Sequence, residues 1–209
     1  GGILRLKEYS TENGTSRSFE HISINNSTFT DNAVYCFATG SMNKLWIGTE
    51  NGINYYLYKS KQLKTFTVTA DGKKVKYVHS IHELNDTTLW VSTVGEGIVK
   101  IILNKNGIAP TVKSATRIFL NGGRLASNYF FTSFQENDSI LWFGNRGYVA
   151  HRLNLETGKF IPYKFENIVN SQMAKDIYAI YKNENGYWFA TSSGLLHFNQ
   201  EGSQHHNKV

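Results

Sequence analysis

The sequence predicts an all-β protein, a β-propeller of four-stranded antiparallel blades, and three observations predict it. One phrase recurs four times and uses all four tryptophans: Leu45-Trp46-Ile47-Gly48-Thr49, Leu89-Trp90-Val91-Ser92-Thr93, Leu141-Trp142-Phe143-Gly144-Asn145 and Tyr187-Trp188-Phe189-Ala190-Thr191. A spacing of ~45 residues is the range in which a repeating sequence means one supersecondary unit per period. Turn residues and short apolar runs flank each phrase at similar offsets, and no window carries a convincing helical period.

Aligning the units on their tryptophans gives the elements in order. Upstream lies an apolar segment with a small residue inside it: Val34-Tyr35-Cys36-Phe37, Val78-His79-Ser80-Ile81, Phe131-Thr132-Ser133-Phe134 and Ile177-Tyr178-Ala179-Ile180. A polar stretch follows in each case, at 40–44, 85–88, 136–139 and 183–186, and the tryptophan phrase returns from it, which is a hairpin signature. Gly52, Gly97, Gly147 and Gly194 then break the chain before a third run. A fourth run closes the unit at 63–69, 115–120 and 159–165. Four short strands with turn chemistry between them is the composition of a propeller blade.

The two ends hold partial units. Gly2 to Leu6 resembles a third strand and 16–23 a fourth, so the chain opens halfway through a blade. Residues 176–199 supply strands one to three of a last blade, followed by a polar tail. The expected organisation is 1–24 as the end of a preceding blade, complete blades at 25–70, 71–122 and 123–168, and a partial blade at 169–209. Rings usually need four to eight blades, so two explanations stand: a piece of a larger propeller, or closure alone or through a second copy. The wider spacing in the second unit places an extended loop at 104–114.

The apolar strand, polar hairpin, Leu-Trp-Ile-Gly-Thr phrase, Gly-Ile and aromatic-rich strand resemble the two-component regulator propeller repeat. Residues 45–56 match it nearly position for position, and the resemblance runs from Val34 to Asn199. Ser92 and Ala190 depart from it where it has glycine, and Asn145 where it has threonine. Such repeats occur in the extracytoplasmic sensor regions of bacterial hybrid histidine kinases. The resemblance therefore implies a periplasmic sensor propeller, without enzymatic activity of its own, attached to other blades, a membrane helix and a kinase. WD-type repeats fit less well, because no tryptophan here is followed by aspartate, and Kelch-type repeats fail because Gly122-Gly123 does not recur.

Composition narrows the function classes. With 209 residues, 40% apolar and 14% aromatic, the chain can bury a core. It contains no run of ~18 apolar residues to span a membrane. The single Cys36 excludes an internal disulfide, and its repeat position asks only for a small side chain. No Cys and His spacing fits structural zinc, and no phosphate loop or dinucleotide fingerprint is present, so neither metal nor cofactor is expected. The net charge is +6, but the basic residues are dispersed and Lys73-Lys74-Val75-Lys76 is their densest cluster. That argues against nucleic acid and leaves an acidic saccharide compatible.

A ligand is expected on one face. In a four-stranded meander, the loops leading into strand one and the loops joining strands two and three emerge together. The first set contributes Asn32, Tyr77, Arg124, Asn128 and Asp176, and the second Glu50, Glu96, Arg146 and Ser193. Arginine and tyrosine can stack on or hydrogen-bond a sugar. The expected function is ligand sensing, with an oligosaccharide as the ligand and with other domains of the parent sensor or a second copy as partners. A protein-binding scaffold is the alternative. A propeller glycosidase or lyase needs paired carboxylates, for which Glu50, Glu96 and Asp176 are available.

Overall fold

The computed structural model describes residues 1–12, 14–104, 109–120, 128–147, 149–164 and 176–198. Its strands form separate antiparallel sheets, and among the described residues the only helical element is a 3-10 turn at Asn85–Thr87. The hairpin β1 (Ile3–Thr11) and β2 (Gly14–Ile22) comes first. Blade A follows as β3 (Val34–Gly40), β4 (Lys44–Thr49), β5 (Gly52–Leu57) and β6 (Gln62–Phe66). A short hairpin, β7 (Thr69–Ala70) with β8 (Lys73–Lys74), leads to blade B: β9 (Val78–Leu84), β10 (Thr88–Thr93), β11 (Ile98–Leu103) and β12 (Val112–Ile118). Blade C is β13 (Phe130–Asn137), β14 (Ile140–Asn145), β15 (Val149–Asn154) and β16 (Phe160–Lys164), and sheet D is β17 (Ile177–Asn183), β18 (Gly186–Thr191) and β19 (Gly194–Phe198).

Each blade is a meander in sequence order, and the blades succeed one another around a common axis, the arrangement of a β-propeller. The innermost strands β3, β9, β13 and β17 pack in that order. The glycines opening strand three, at Gly52, Gly97, Gly147 and Gly194, all have positive φ, which explains why that turn repeats glycine. The fourth strands differ from the expected runs: β12 already starts at Val112, and β6 ends at Phe66.

The core lies between blades. Trp46 is fully buried and packs with Tyr55 and Phe66 of its own blade, in a core cluster that also takes in Ile81 and Val99 of blade B. Trp90 meets Phe143 and Phe160 of blade C, and Trp142 meets Tyr187 and Phe189 of sheet D. Trp188, in the last sheet, is only half-buried and stacks on His197 of its own sheet at 4.0 Å. The lysine cluster at 73–76 belongs to a wedge built around the hairpin of β7 and β8. Asp71 and Gly72, both with positive φ, turn the chain between β7 and β8. That turn sends Val68, Ala70 and Val75 into the core between blades A and B while the Lys73 and Lys74 side chains face solvent.

Inside every blade, the small position after the tryptophan faces a second small position on the inner strand. The pairs are Cys36 with Gly48, Ser80 with Ser92, Thr132 with Gly144 and Ala179 with Ala190. This corrects the expected alignment of Ser133 with Cys36 and Ser80: Thr132 holds that slot, and Ser133 stands one residue further along. The pairs compensate in volume, glycine opposite cysteine or threonine, and serine or alanine opposite its like. A Cβ on Gly48 would lie 2.7 Å from the Val78 carbonyl oxygen and 2.5 Å from Cys36 Sγ. Gly48→Ala is expected to cost about 1–3 kcal/mol by overpacking, part of it regained in the double variant with Cys36→Ala. Urea unfolding of the four proteins measures this coupling, and strict additivity would contradict the paired-volume explanation.

The hairpin end of the blades carries a polar network that explains a local irregularity. The register of β13 against β14 slips between Gln135 and Asn137, so Glu136 is an extra residue. Its nearly buried carboxylate accepts from Trp142 Nε1 at 2.7 Å and Lys182 Nζ at 3.2 Å and stands 3.5 Å from Arg152 Nε. Burial alone would raise its pKa, but the bonds from Tyr187, Trp142 and Lys182 and the charge of Arg152 outweigh that and hold it below the usual carboxylate range. In blade A the same service comes from the next blade, where Glu83 accepts from Trp46 Nε1 and, at 2.9 Å, from the Ser41 amide.

Candidate functional site

The loop sets expected to share a face do so, and backbone hydrogen bonds join them into a continuous belt. Glu50 N donates to Ala33 O, Tyr77 N to Glu50 O at 2.7 Å, and Val94 N to Tyr77 O at 3.0 Å. An isolated bridge pairs Val94 with Tyr129, Arg146 N donates to Tyr129 O, a second bridge pairs Arg146 with Asp176, and Ser192 N donates to Asp176 O. The loop into each blade is thus held between the preceding blade's second loop and its own. Tyr77 meets this demand with φ of 52°, a left-handed conformation uncommon for a tyrosine.

The expected site residues fall into three groups. Asn32 ties the first hairpin to blade A, since its backbone oxygen accepts from Gly2 N at 2.7 Å and its Oδ1 from Ile24 N at 3.0 Å. Asn128 accepts from Gly95 N and Gly97 N through its carbonyl and from Leu120 N through Oδ1. Glu96 forms a 2.6 Å ion pair with Arg117, whose side chain is almost fully buried. These three side chains are engaged in holding loops. Glu50, Tyr77, Arg146 and Asp176 stand on the belt itself, with Ser193 just beyond its last link. Arg124 lies outside the described residues.

The feature that sequence reasoning missed lies inside the belt. In all four blade sheets the register of the inner strand slips at one equivalent residue near its start: between Val34 and Cys36, Val78 and Ser80, Phe130 and Thr132, and Ile177 and Ala179. The skipped residues are Tyr35, His79, Phe131 and Tyr178. A β-bulge leaves one residue out of the ladder and re-aims its side chain, and here each bulged residue is aromatic. Together they form a crescent around the mouth of the central channel. Tyr35 stacks on His79 at 4.2 Å between centroids, His79 meets Phe131 edge-on at 6.0 Å, and Phe131 meets Tyr178 at 5.1 Å.

The crescent lines a cavity of about 550 Å³ whose floor includes Cys36, Ser80, Thr132 and Ser133. Ser80 and Ser133 hydroxyls bond each other across two blades at 2.6 Å. The terminal rings are the most open: Tyr35 is 43% and Tyr178 49% exposed. Each has a carboxylate beside its hydroxyl, Tyr35 Oη donating to Glu50 Oε2 and Tyr178 Oη to Asp176 Oδ2, both at 3.4 Å. Burial raises the Tyr35 pKa and the Glu50 charge adds to it. Burial lowers the pKa of His79, which keeps its imidazole neutral at pH 7. Arg146 is half-exposed, 3.5 Å from Asp176 and stacked 5.0 Å over the Tyr129 ring. The Cys36 thiol, pushed up to about 12 by burial, is not a nucleophile.

A signal for the crescent exists in the sequence. Each repeat places two adjacent apolar or aromatic residues before the small position: Val34-Tyr35, Val78-His79, Phe130-Phe131 and Ile177-Tyr178. A strand that alternates faces cannot bury both, so one of each pair must leave the core or the ladder.

No protein-family model matches the chain, and no curated protein does. Solved structures do. The chain is similar to a structure described as the extracellular domain of the hybrid two component system BT3049 from B. thetaiotaomicron, with 21% identity and a TM-score of 0.65 over 98% of this chain and 29% of that one. A second similarity is to the extracellular domain of BT4673 from the same organism, described as a one component system, with 15% identity and a TM-score of 0.68 over 91% of this chain and 26% of that one. A third is to PorZ of Porphyromonas gingivalis, a surface component of the type-IX secretion system, with 12% identity and a TM-score of 0.63 over 95% of this chain and 32% of that one. The chain spans less than a third of each of these three structures. At identities this low, the structural similarity shows a shared fold alone.

Proposed function

We propose that this chain is a ligand-binding propeller from the extracytoplasmic region of a two-component signalling protein, and that the ligand is a saccharide held in the channel mouth. The observation that carries the reading is the crescent, in which four successive blades spend a β-bulge to present an aromatic ring into one cavity. Aromatic faces supply apolar area to C–H surfaces of a sugar at low conformational cost. The Glu50 and Asp176 carboxylates and the Ser80 and Ser133 hydroxyls supply polar contacts around them. The similarity to extracellular domains of signalling systems favours the same reading. Catalysis has less support, because Glu96 and Asp176 are committed to ion pairs with Arg117 and Arg146.

The test is calorimetric titration of the chain with a panel of oligosaccharides, beside Tyr35→Ala and Tyr178→Ala. Binding is expected for the parent chain and about tenfold weaker binding for each variant, as for an aromatic anchor. A saccharide bound equally well by both variants would contradict the placement. A protein-binding scaffold is the second reading, favoured by the β1 and β2 hairpin, whose Leu4, Leu6 and Phe19 side chains lie exposed on one face.

A further inference from the structure

Among the described residues, the charged side chains that touch the rings of the crescent are acidic, opposite in sign to the net charge of the chain as a whole. We infer that the aromatic crescent selects uncharged glycans and rejects uronates and sulfated sugars, with Glu50 as the residue that discriminates. This inference rests on the saccharide reading and deepens it.

The net charge of +6 makes an acidic saccharide compatible on composition alone. Placement reverses that expectation. The described residues lining the cavity are Tyr35, Cys36, Phe37, His79, Ser80, Ile81, Phe131, Thr132, Ser133 and Tyr178, with no lysine or arginine among them. The one basic ring in the set, His79, is kept neutral by burial. Both ends of the crescent are capped by an acid, Glu50 at the Tyr35 end and Asp176 at the Tyr178 end.

Among the described residues of the belt the cation is Arg146, and it is already paired. Its guanidinium pairs with Asp176 and covers the Tyr129 ring rather than the cavity. The other strongly engaged arginine, Arg117, is buried under Glu96 on the fourth strand of blade B. Glu50 is the acid without a counter-charge, since its only side-chain bond among the described residues comes from the Tyr35 hydroxyl.

A carboxylate accepts two hydrogen bonds from vicinal hydroxyls of a neutral sugar, and such charge-assisted bonds are the strong ones. The same carboxylate facing a uronate or sulfate meets like charge across a few ångströms in a partly dehydrated site. Specificity then comes from rejection as much as from attraction.

The experiment titrates the full chain with short neutral gluco-, manno-, xylo- and galacto-oligosaccharides and, in parallel, with oligogalacturonate, its methyl ester and a sulfated oligosaccharide. Glu50→Gln and Tyr178→Ala are carried alongside, with circular dichroism confirming that both fold. The expected result is a bound neutral sugar, weakened about tenfold by Tyr178→Ala, and acidic sugars that bind the parent chain poorly. Glu50→Gln is expected to improve the acidic sugars about tenfold, the effect of removing one like charge at this range. Acidic sugars bound by the parent chain through Tyr178 as tightly as neutral ones would overturn the inference while leaving the saccharide reading in place. No binding to any sugar would overturn both.

Discussion

Trp46→Ala is expected to destabilise the chain by about 3–5 kcal/mol, the cost of emptying a fully buried aromatic site, whereas Trp188→Ala is expected to cost about 1 kcal/mol or less, the ordinary effect of substitution outside the core. The four tryptophans occupy one position in the repeat, so a sequence gives no reason to rank them. Packing does. Trp46 is enclosed by Tyr55, Phe66 and the strands of blade B, and its indole N–H bonds Glu83 of that neighbour. Trp188 has no following blade among the described residues, and its ring lies on His197 instead. Equilibrium urea unfolding of both variants measures the difference. Equal losses would show that the repeat position, rather than the neighbouring blade, determines what a tryptophan contributes.

The second large effect is acid lability centred on His151. This side chain is 5% exposed, packs edge-on against Phe130 and leaves a buried Nδ1 without a hydrogen-bond partner among the described residues. Burial lowers its pKa from the ordinary 6.5 to about 4. In the folded chain it stays neutral where the unfolded chain would take a proton. Its contribution is therefore intact above pH 6.5 and lost progressively as the pH falls toward 4. The loss approaches about 3 kcal/mol at 1.36 kcal/mol per pH unit. His79 and His82, both lowered mainly by burial, add to the same trend. His151→Leu, which copies Leu196 at the equivalent position of sheet D, should flatten the pH dependence of stability across this window. An unchanged slope would place the acid-sensitive group elsewhere.

Much of the architecture was legible because it repeats. The tryptophan phrase, the polar hairpins and the glycines with positive φ recur with the blade, and each maps onto a strand or turn that the structure contains. The wedge at 68–75 was not legible, because it occurs once, and its buried valines and alanine sit among lysines that dominate the reading of the segment. The shift of Ser133 has a similar origin. Phe130 and Phe131 are chemically alike, so alignment on apolar character cannot tell which of them stays in the ladder and which bulges out.

The candidate site was legible in its loops but not in its floor. Glu50, Tyr77, Arg146 and Asp176 follow from meander geometry, which brings two loops of each blade to one face. Geometry of that kind does not say which loop side chains are already engaged. Asn32, Asn128 and Glu96 hold backbone amides or a buried arginine, a role that depends on partners up to 33 residues away. The crescent escaped because Tyr35, His79, Phe131 and Tyr178 sit inside apolar runs that read as core. Only the register of the neighbouring strand shows that each of them is an extra residue.

The most direct test of the site is amide hydrogen exchange of the full chain with and without the tightest-binding oligosaccharide of the panel. Added protection is expected at 33–37, 77–81, 129–133 and 176–180, the four bulged segments and the belt links beside them. Protection confined to the opposite hairpins at 40–44, 85–88 and 183–186, or spread without preference for the mouth, would contradict the placement of the ligand.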